Sequence, residues 1–293
     1  MLPDDFCVFI LSHGRPNKVF TLPALQRSNY TGKLFIVIDD EDKTADAYKS
    51  KYGDKVIQFC KAEAQSKCDD GINSGHRGAV VYARNACWDI ARQRGIKSFW
   101  VLDDDYTNFY YCVTDKKVVI QTNQYRIKQM DRMLAAMLAY LQSAPISSIA
   151  MAQSGDFMGG VDAWKNKNPI TRKCMNSFLC LTDRPFPFMG KINEDVTAYV
   201  DGGKRGLIFF TLMDLGLQQT QTQQNSGGLT DIYLDSGTYV KSFYSVMWTP
   251  SCVKVALLKG NKNTRLHHSI NWPSAVPKII RESYKKAADC APG

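Results

Sequence analysis

Three short apolar runs, each flowing straight into polar or acidic residues, constrain this chain more than any other feature. They are FCVFILS (6–12), KLFIVIDDED (33–42) and SFWVLDDD (98–105). Aromatic and β-branched residues in runs this short suit strands buried on both faces. Between the runs the period turns helical. Val19, Leu22 and Leu25 mark one such stretch. GAVVYARNACWDIARQRG (78–95) sets Val81, Ala83, Ala86, Trp88, Ile90 and Ala91 on an apolar face, with Gly95 as its C-cap. Strands alternating with helices predict an α/β fold, a mainly parallel central sheet flanked by helices. Ligands of such sheets bind beyond the carboxyl ends of the strands, where the acids at 39–42 and 103–105 fall.

The remaining pattern extends this plan. KVIQFC (55–60) reads as a third short strand, and the polar residues 61–76 read as a loop. After a hairpin, YYCVTDKKVVIQT, comes the amphipathic helix QYRIKQMDRMLAAMLAYLQSA, whose Met and Leu stripe reads as core. SSIAMAQ and NSFLCLTD are strand-like, and GKINEDVTAYVDGGKRG (190–206) opens a helix on Glu194 and Asp195. QQTQTQQNSGGLTD (218–231) has no helical period and reads as a mobile loop.

Adjacent carboxylates at Asp103, Asp104 and Asp105 repel one another unless solvent, cations or a metal intervenes. A hard cation such as Mg²⁺ or Mn²⁺ takes oxygen ligands, commonly one or two carboxylates plus substrate phosphates. A DxD unit at a strand end offers one acid to a metal and another to a nearby ribose. The negative charge is thus ready for a metal–diphosphate. The chain as a whole carries a net charge of +9, which favours a polyanionic partner such as nucleic acid. From Lys254 to Lys286 the only acid is Glu282, against Lys254, Lys259, Lys262, Arg265, Lys278, Arg281, Lys285 and Lys286.

No apolar stretch approaches the ~18–20 residues of a membrane span. The opening MLPDDFCVFILSHG has acids where a signal peptide needs basic residues. The expectation is a soluble, cytoplasmic protein with no membrane partner. The nine cysteines are scattered without a CxxC pair, and Cys7, Cys60 and Cys112 lie in apolar or strand-like runs, so buried reduced thiols are expected.

In order, these features resemble the GT-A glycosyltransferases of the inverting, family-2-like type, over roughly residues 6 to 210. The SHGRP turn follows the first strand, and IDDED ends the second. ARN lies in the helix before the DxD strand, LDDD ends that strand, and NED (193–195) resembles the family's later ED motif. With its basic surface, the chain looks most like the bacteriophage TET-associated glycosyltransferases, which add sugars to hydroxymethylated pyrimidines in DNA. The resemblance implies a GT-A-type sheet in a single domain over 1–293. Within it, 1–125 would be the nucleotide-sugar half, 126–250 the acceptor and catalytic half, and 251–293 a basic C-terminal segment. It implies Asp195 as general base supported by Glu194, with Ser12, Arg15, Asp39, Asp40, Arg84, Asp103 and Asp104 on the donor. It also implies Mn²⁺ or Mg²⁺ on Asp105 and Asp103, a UDP-sugar donor, and hydroxymethylated DNA as acceptor.

One departure stands out. No QxxRW follows the ED segment. The C-terminal part carries NTRLHHSINW instead, and because some GT-A enzymes complete their metal site with a C-terminal histidine, His267 or His268 becomes a candidate ligand. Other readings keep the chemistry but move the acceptor to a glycan, protein or small molecule. A sugar-1-phosphate nucleotidyltransferase would need a Gly-rich loop after the first strand, and SHGRPNK offers one glycine. A catalytically dead DNA-binding module is opposed by the clustered acids, which would repel a polyanion unless a metal offset them.

Overall fold

The structure, a computed structural model, describes residues 1–71, 78–115, 118–120, 125–153, 156, 168–220, 240–259 and 264–284. Phe6–Leu11 (β1) is buried along its whole length, and Lys33–Asp39 (β2), Val56–Phe59 (β3) and Ser98–Asp103 (β4) run parallel in its half of the sheet. The register sets Leu11 opposite both Val37 and Asp103, so these strands deliver their acids to one edge. Tyr106–Tyr111 (β5) turns back, and a small hairpin of Val113–Asp115 (β6) and Val118–Ile120 (β7) follows. Ser148–Ala152 (β8), Ser177–Leu181 (β9) and Phe209–Gln219 (β10) complete an eight-stranded sheet of order β3-β2-β1-β4-β9-β8-β10-β5. The pairs β4/β9, β9/β8 and β10/β5 are antiparallel and the other four are parallel. The sheet is mostly parallel, as the sequence predicts.

Alternation along β1 explains why both faces are covered. Cys7, Phe9 and Leu11 pack with Val81 and Trp88 of Val81–Gln93 (α4) and with Val196 and Val200 of Glu194–Lys204 (α6). Phe6, Val8 and Ile10 meet Leu25 of Thr21–Arg27 (α1), Tyr48 of Ala45–Tyr52 (α2) and Leu134 of Met130–Ser143 (α5). The Met and Leu stripe of α5 is core, since Met130, Met133, Met137 and Leu141 are all buried.

Three expectations change. Residues 61–76 are not all loop, because Lys61–Ser66 forms a helix (α3) that hid from sequence reading behind its polar composition. The thiol at Cys60 is exposed, whereas Cys7 and Cys112 are buried. The strand β10 had no alternating signature, because it pairs first with β8 and then with β5 across an irregularity between Leu212 and Gly216. The expected mobile loop at 218–231 begins inside β10, and from residue 221 it lies outside the described residues.

The basic C-terminal segment is structured. Val240–Trp248 (α7) packs against an antiparallel ribbon, Val253–Lys259 (β11) with Thr264–Ile270 (β12). Trp272–Ala275 (α8) then meets α6, and a Cβ at Gly203 would lie 2.1 Å from the Ala275 carbonyl oxygen, so only glycine allows that approach. Lys262, Lys285 and Lys286 lie outside the described residues. Among the described residues no helix is long and apolar enough to cross a membrane.

Candidate active site

The three acids at the end of β4 diverge. Asp104 turns inward and is buried, and its Oδ2 accepts from Ser12 Oγ at 2.5 Å and Arg15 Nε at 2.9 Å. Ser12 Oγ also shares a 2.6 Å hydrogen bond with the Tyr48 hydroxyl. Ser12, Arg15 and Asp104 therefore latch the turn after β1 onto the end of β4. Ser12 and Asp104 are both buried. Asp103 and Asp105 remain as the DxD pair. Asp105 accepts from Gln219 Nε2 at 3.0 and 3.1 Å and from Thr220 Oγ1 at 3.4 Å, which ties it to the end of β10.

Arg84 organises the cluster from below. Its side chain is 1% exposed, and its Nη2 donates to Asp103 Oδ1 at 3.0 Å and to Asn176 Oδ1 at 2.9 Å, while Nε donates to Glu194 Oε1 at 3.0 Å. The rings of Phe178 and Phe188 lie 5.4 and 5.8 Å from the guanidinium carbon. Nη1 is buried without a hydrogen-bond partner among the described residues. Arg84 is thus a brace between the DxD strand and α6.

Two asparagines in the left-handed region flank this brace, Asn176 at φ 47° and Asn193 at φ 55°. Such backbone is sparsely populated outside glycine and concentrates where geometry is over-determined. Asn176 aims its side chain at Arg84, and its carbonyl accepts from the Tyr106 hydroxyl at 2.5 Å. Asn193 precedes α6 and donates through Nδ2 to Lys241 O at 2.7 Å and Ser245 Oγ at 3.0 Å, which fixes where the helix begins. Glu194 and Asp195 then fill the first turn, where the positive end of the helix dipole favours negative charge. Glu194 is buried on Arg84, whereas Asp195 is half-buried.

Four carboxyls at the site are held above their ordinary range. Burial pushes Glu194 up to about 7, with Asp195 and Asp103 adding to the rise against the pull of Arg84. Burial likewise lifts Asp103 to about 6, helped by Asp105 and Asp195 and opposed by Arg84 and Arg15. Asp104 reaches about 6 through burial, against Arg15 and the Ser12 hydroxyl. Asp105 is raised as well, by burial first and then by Asp104. Burial is the leading cause at all four carboxyls, and the neighbouring acids add to it.

At the end of β2, Asp39 Oδ2 lies 2.7 Å from His13 Nδ1, and Lys61 Nζ donates to Asp39 Oδ1 at 3.2 Å. Burial alone would raise Asp39, but the His13 hydrogen bond and the charges of His13 and Lys61 hold it below the usual carboxylate range. Asp40 stays exposed, and its Oδ1 accepts from the Lys61 backbone N–H at 2.8 Å.

His267 lies on β12. Its ring centroid is 4.2 Å from that of His268, and Lys173 Nζ lies 3.4 Å from His267 Nε2 and 3.1 Å from His268 Nε2. A lysine at that distance opposes a second cation. Among the described residues no three His, Cys, Asp or Glu side chains are grouped to hold a metal, so Asp103, Asp105 and His267 do not form a ready-made cage. Two carboxylates plus substrate phosphates are a normal set for a hard cation, and that is the set Asp103 and Asp105 can supply.

Sequence reading missed His13, Tyr48, Lys61, Asn176 and Gln219. His13 carried a signal, standing inside the SHGRP turn. The others are polar residues whose partners lie far along the chain.

The sequence model of a family described as TET-Associated Glycosyltransferase matches residues 6–228, well over half of the chain. Among solved structures, the chain is similar to glucosyl-3-phosphoglycerate synthase from Mycobacterium tuberculosis in complex with Mn²⁺, uridine diphosphate and phosphoglyceric acid. That likeness has 8% identity over 90% of this chain and 86% of the other, with a TM-score of 0.46. Mannosyl-3-phosphoglycerate synthase from Rubrobacter xylanophilus is similar at 11% identity, covering 90% and 86% of the two chains, with a TM-score of 0.42. No curated protein matches.

Proposed function

The chain belongs to the TET-associated glycosyltransferases, and from that premise we propose that it moves a sugar from a UDP-sugar to the hydroxymethyl group of 5-hydroxymethylcytosine in DNA, with inversion. The observation that carries the mechanism is the division of labour at the start of α6. Glu194 is occupied by Arg84, so the half-buried Asp195 is the carboxylate left to face an acceptor.

Asp195 takes the proton of the hydroxymethyl group as its oxygen attacks the anomeric carbon. The new carbon–oxygen bond forms as the bond to the diphosphate breaks, and the nucleoside diphosphate departs with that electron pair. General-base assistance of this kind contributes roughly 10²–10⁴-fold. Glu194 and Arg84 hold the first turn of α6 against the end of β4, which sets the distance between base and donor. Asp103 and Asp105 would hold the divalent cation, Mn²⁺ or Mg²⁺. When bound, that cation offsets the charge of the leaving diphosphate. Asp39 and Asp40, at the end of β2, are assigned to the nucleoside part of the donor, with His13 and Lys61 fixing the Asp39 carboxylate.

The test is direct. The protein is incubated with hydroxymethylated DNA and a panel of nucleotide sugars, and the DNA is digested to nucleosides for mass spectrometry. A sugar-shifted hydroxymethylcytosine supports the reading. Donor turnover with every DNA unmodified would move the acceptor to another class of molecule.

A further inference from the structure

A further acid, Asp156, stands at the acid-bearing edge of the sheet and has no part in the chemistry above. The strand β8 is antiparallel to β9, and β9 to β4, so β8 runs with β4. The Met151 N–H donates to Ser177 Oγ at 3.0 Å, and Ser177 pairs with Leu102, so β8 ends level with Asp103. Asp156 follows four residues after β8, at the edge where ligands of such sheets bind. Gln153 Nε2 ties this turn to Met175 O at 3.2 Å, next to the Asn176 that holds Arg84.

Asp156 is buried, and its Oδ2 accepts from the Gln153 N–H at 2.9 Å. Asparagine would serve that turn equally well and bury no charge. Arg172 Nη1 donates to the main-chain oxygen of Asp156, at 3.4 Å. The turn therefore engages one carboxylate oxygen of two. The hydroxyls of Tyr110 and Tyr199 are buried as well, without a hydrogen-bond partner among the described residues. Burial raises both of them. Asp195 and then Asp156 add to the rise at Tyr199, as do Cys112 and then Asp156 at Tyr110. Asp156 is thus within electrostatic reach of both hydroxyls. Asp195, one turn before Tyr199 on the same face of α6, is within reach of one. Buried polar atoms are normally satisfied, so a set of this kind beside the proposed base calls for a polar ligand.

The hydrogen-bonding edge of a cytosine accounts for these groups. It offers one donor, the 4-amino group, and two acceptors, against one carboxylate and two hydroxyls. Carboxylates accept from that amino group, and enzymes that act on an extruded base read this edge. The 4-amino and 5-hydroxymethyl groups sit on neighbouring ring carbons, so whatever reads the first must stand beside the base that takes the proton of the second. We propose that Asp156 determines acceptor specificity, its Oδ1 accepting from the 4-amino group of 5-hydroxymethylcytosine while Asp195 acts on the adjacent hydroxymethyl. In 5-hydroxymethyluracil the same position is a carbonyl oxygen, which a carboxylate repels. This rests on the reading of DNA as the acceptor.

The test compares D156N with the parent protein on two single-stranded oligonucleotides that differ only in carrying 5-hydroxymethylcytosine or 5-hydroxymethyluracil at one position. In D156N the amide oxygen keeps the Gln153 bond, and the amide nitrogen puts a donor where the acid offered an acceptor. The parent should favour the cytosine. In D156N the cytosine-to-uracil ratio of kcat/KM should fall by about tenfold or more. D156S, which keeps an acceptor for the turn and removes the carboxylate, should bring the ratio towards one, and it stands in if D156N melts early. Affinities for the same oligonucleotides, measured without donor, should follow the same order. A parent indifferent to the two bases overturns the assignment. So do variants that lose turnover equally on both, because Asp156 would then serve only its turn. If the parent glycosylates neither oligonucleotide, the acceptor reading fails, and the affinities alone decide: an order that D156N leaves unchanged removes Asp156 from base recognition.

Discussion

Arg84 Nε donates to Glu194 Oε1 across 3.0 Å, joining the first turn of α4 to the first residue of α6 with both side chains buried. Removing one partner of a buried pair strands the other charge, which typically costs about 3–5 kcal/mol. Arg84→Met is therefore expected to lower stability by that order, read as a shift in the urea midpoint. Adding Glu194→Gln should recover part of the loss, since the uncompensated carboxylate is gone. A double variant as unstable as Arg84→Met alone would show that packing against Phe178 and Phe188, not charge, is what Arg84 supplies.

The two acids of α6 separate by function. Asp195→Asn should reduce turnover by about 10²–10⁴-fold while leaving the affinity for nucleotide sugar nearly unchanged. Glu194→Gln should retain turnover better and lose stability instead. Steady-state rates, with donor affinity from calorimetry, check both. If Glu194→Gln abolishes turnover and Asp195→Asn does not, the assignments are reversed.

Metal removal addresses the raised acids at the end of β4. Asp103 is pushed up to about 6 and Asp105 is also raised, so a divalent cation there replaces protons and relieves repulsion. Activity should vanish in EDTA and return with Mn²⁺ or Mg²⁺. Asp105→Asn should weaken Mn²⁺-dependent binding of UDP in calorimetry. Full turnover in EDTA would remove the cation from the reaction.

The His13–Asp39 pair has a defined pH window. The Asp39 hydrogen bond raises His13 above its usual value, against burial, and Asp39 itself is lowered. A raised histidine contributes stability that is complete below its unfolded value and lost as pH rises through the folded one. A lowered aspartate contributes stability that is present above its unfolded value and lost as pH falls through the folded one. The pair is thus strongest between about pH 4 and 6.5, the unperturbed aspartate and histidine values, and fades on both sides. The NMR titration midpoint of His13 should fall in Asp39→Asn. An unchanged midpoint would place the proton elsewhere.

Much of this was legible in the chain, for physical reasons. The strands β1, β2 and β4 are buried on both faces, so apolar runs betray them. The helices α4 and α5 bury one stripe, so period 3.6 betrays them. The helix α3, KAEAQS, has no apolar stripe, and β10 changes partner midway, so neither leaves a simple period. At the site, Arg84, Asp103, Glu194 and Asp195 stood out as motif residues and do converge. Which of three neighbouring acids turns inward was not legible, because that depends on how Ser12 and Arg15 come across from β1. The roles of Lys61 and Asn176 were hidden for the same reason, since each is set by a partner distant in sequence.

The fold divides the basic C-terminal residues between two places. The ribbon with Lys254 is mounted on α7 near the start of α6, whereas the Arg281 backbone N–H bonds to Gly206 O, just past that helix's other end. An 11-residue helix is about 16 Å long, so Lys278 and Arg281 stand roughly that far from Asp195. Trp272 is already stacked on Tyr199, with ring centroids 6.1 Å apart at 17°, and the Tyr284 side chain lies outside those described. Removing a cation that neutralises one phosphate should reduce the log–log salt slope of DNA binding by about 0.9. Lys254→Ala is expected to show about that change, and K278A/R281A together a smaller one. Binding measured between low and moderate salt checks the ranking. If the double variant flattens the slope more than Lys254→Ala does, the DNA runs along the far end of α6 and reaches Asp195 from that side.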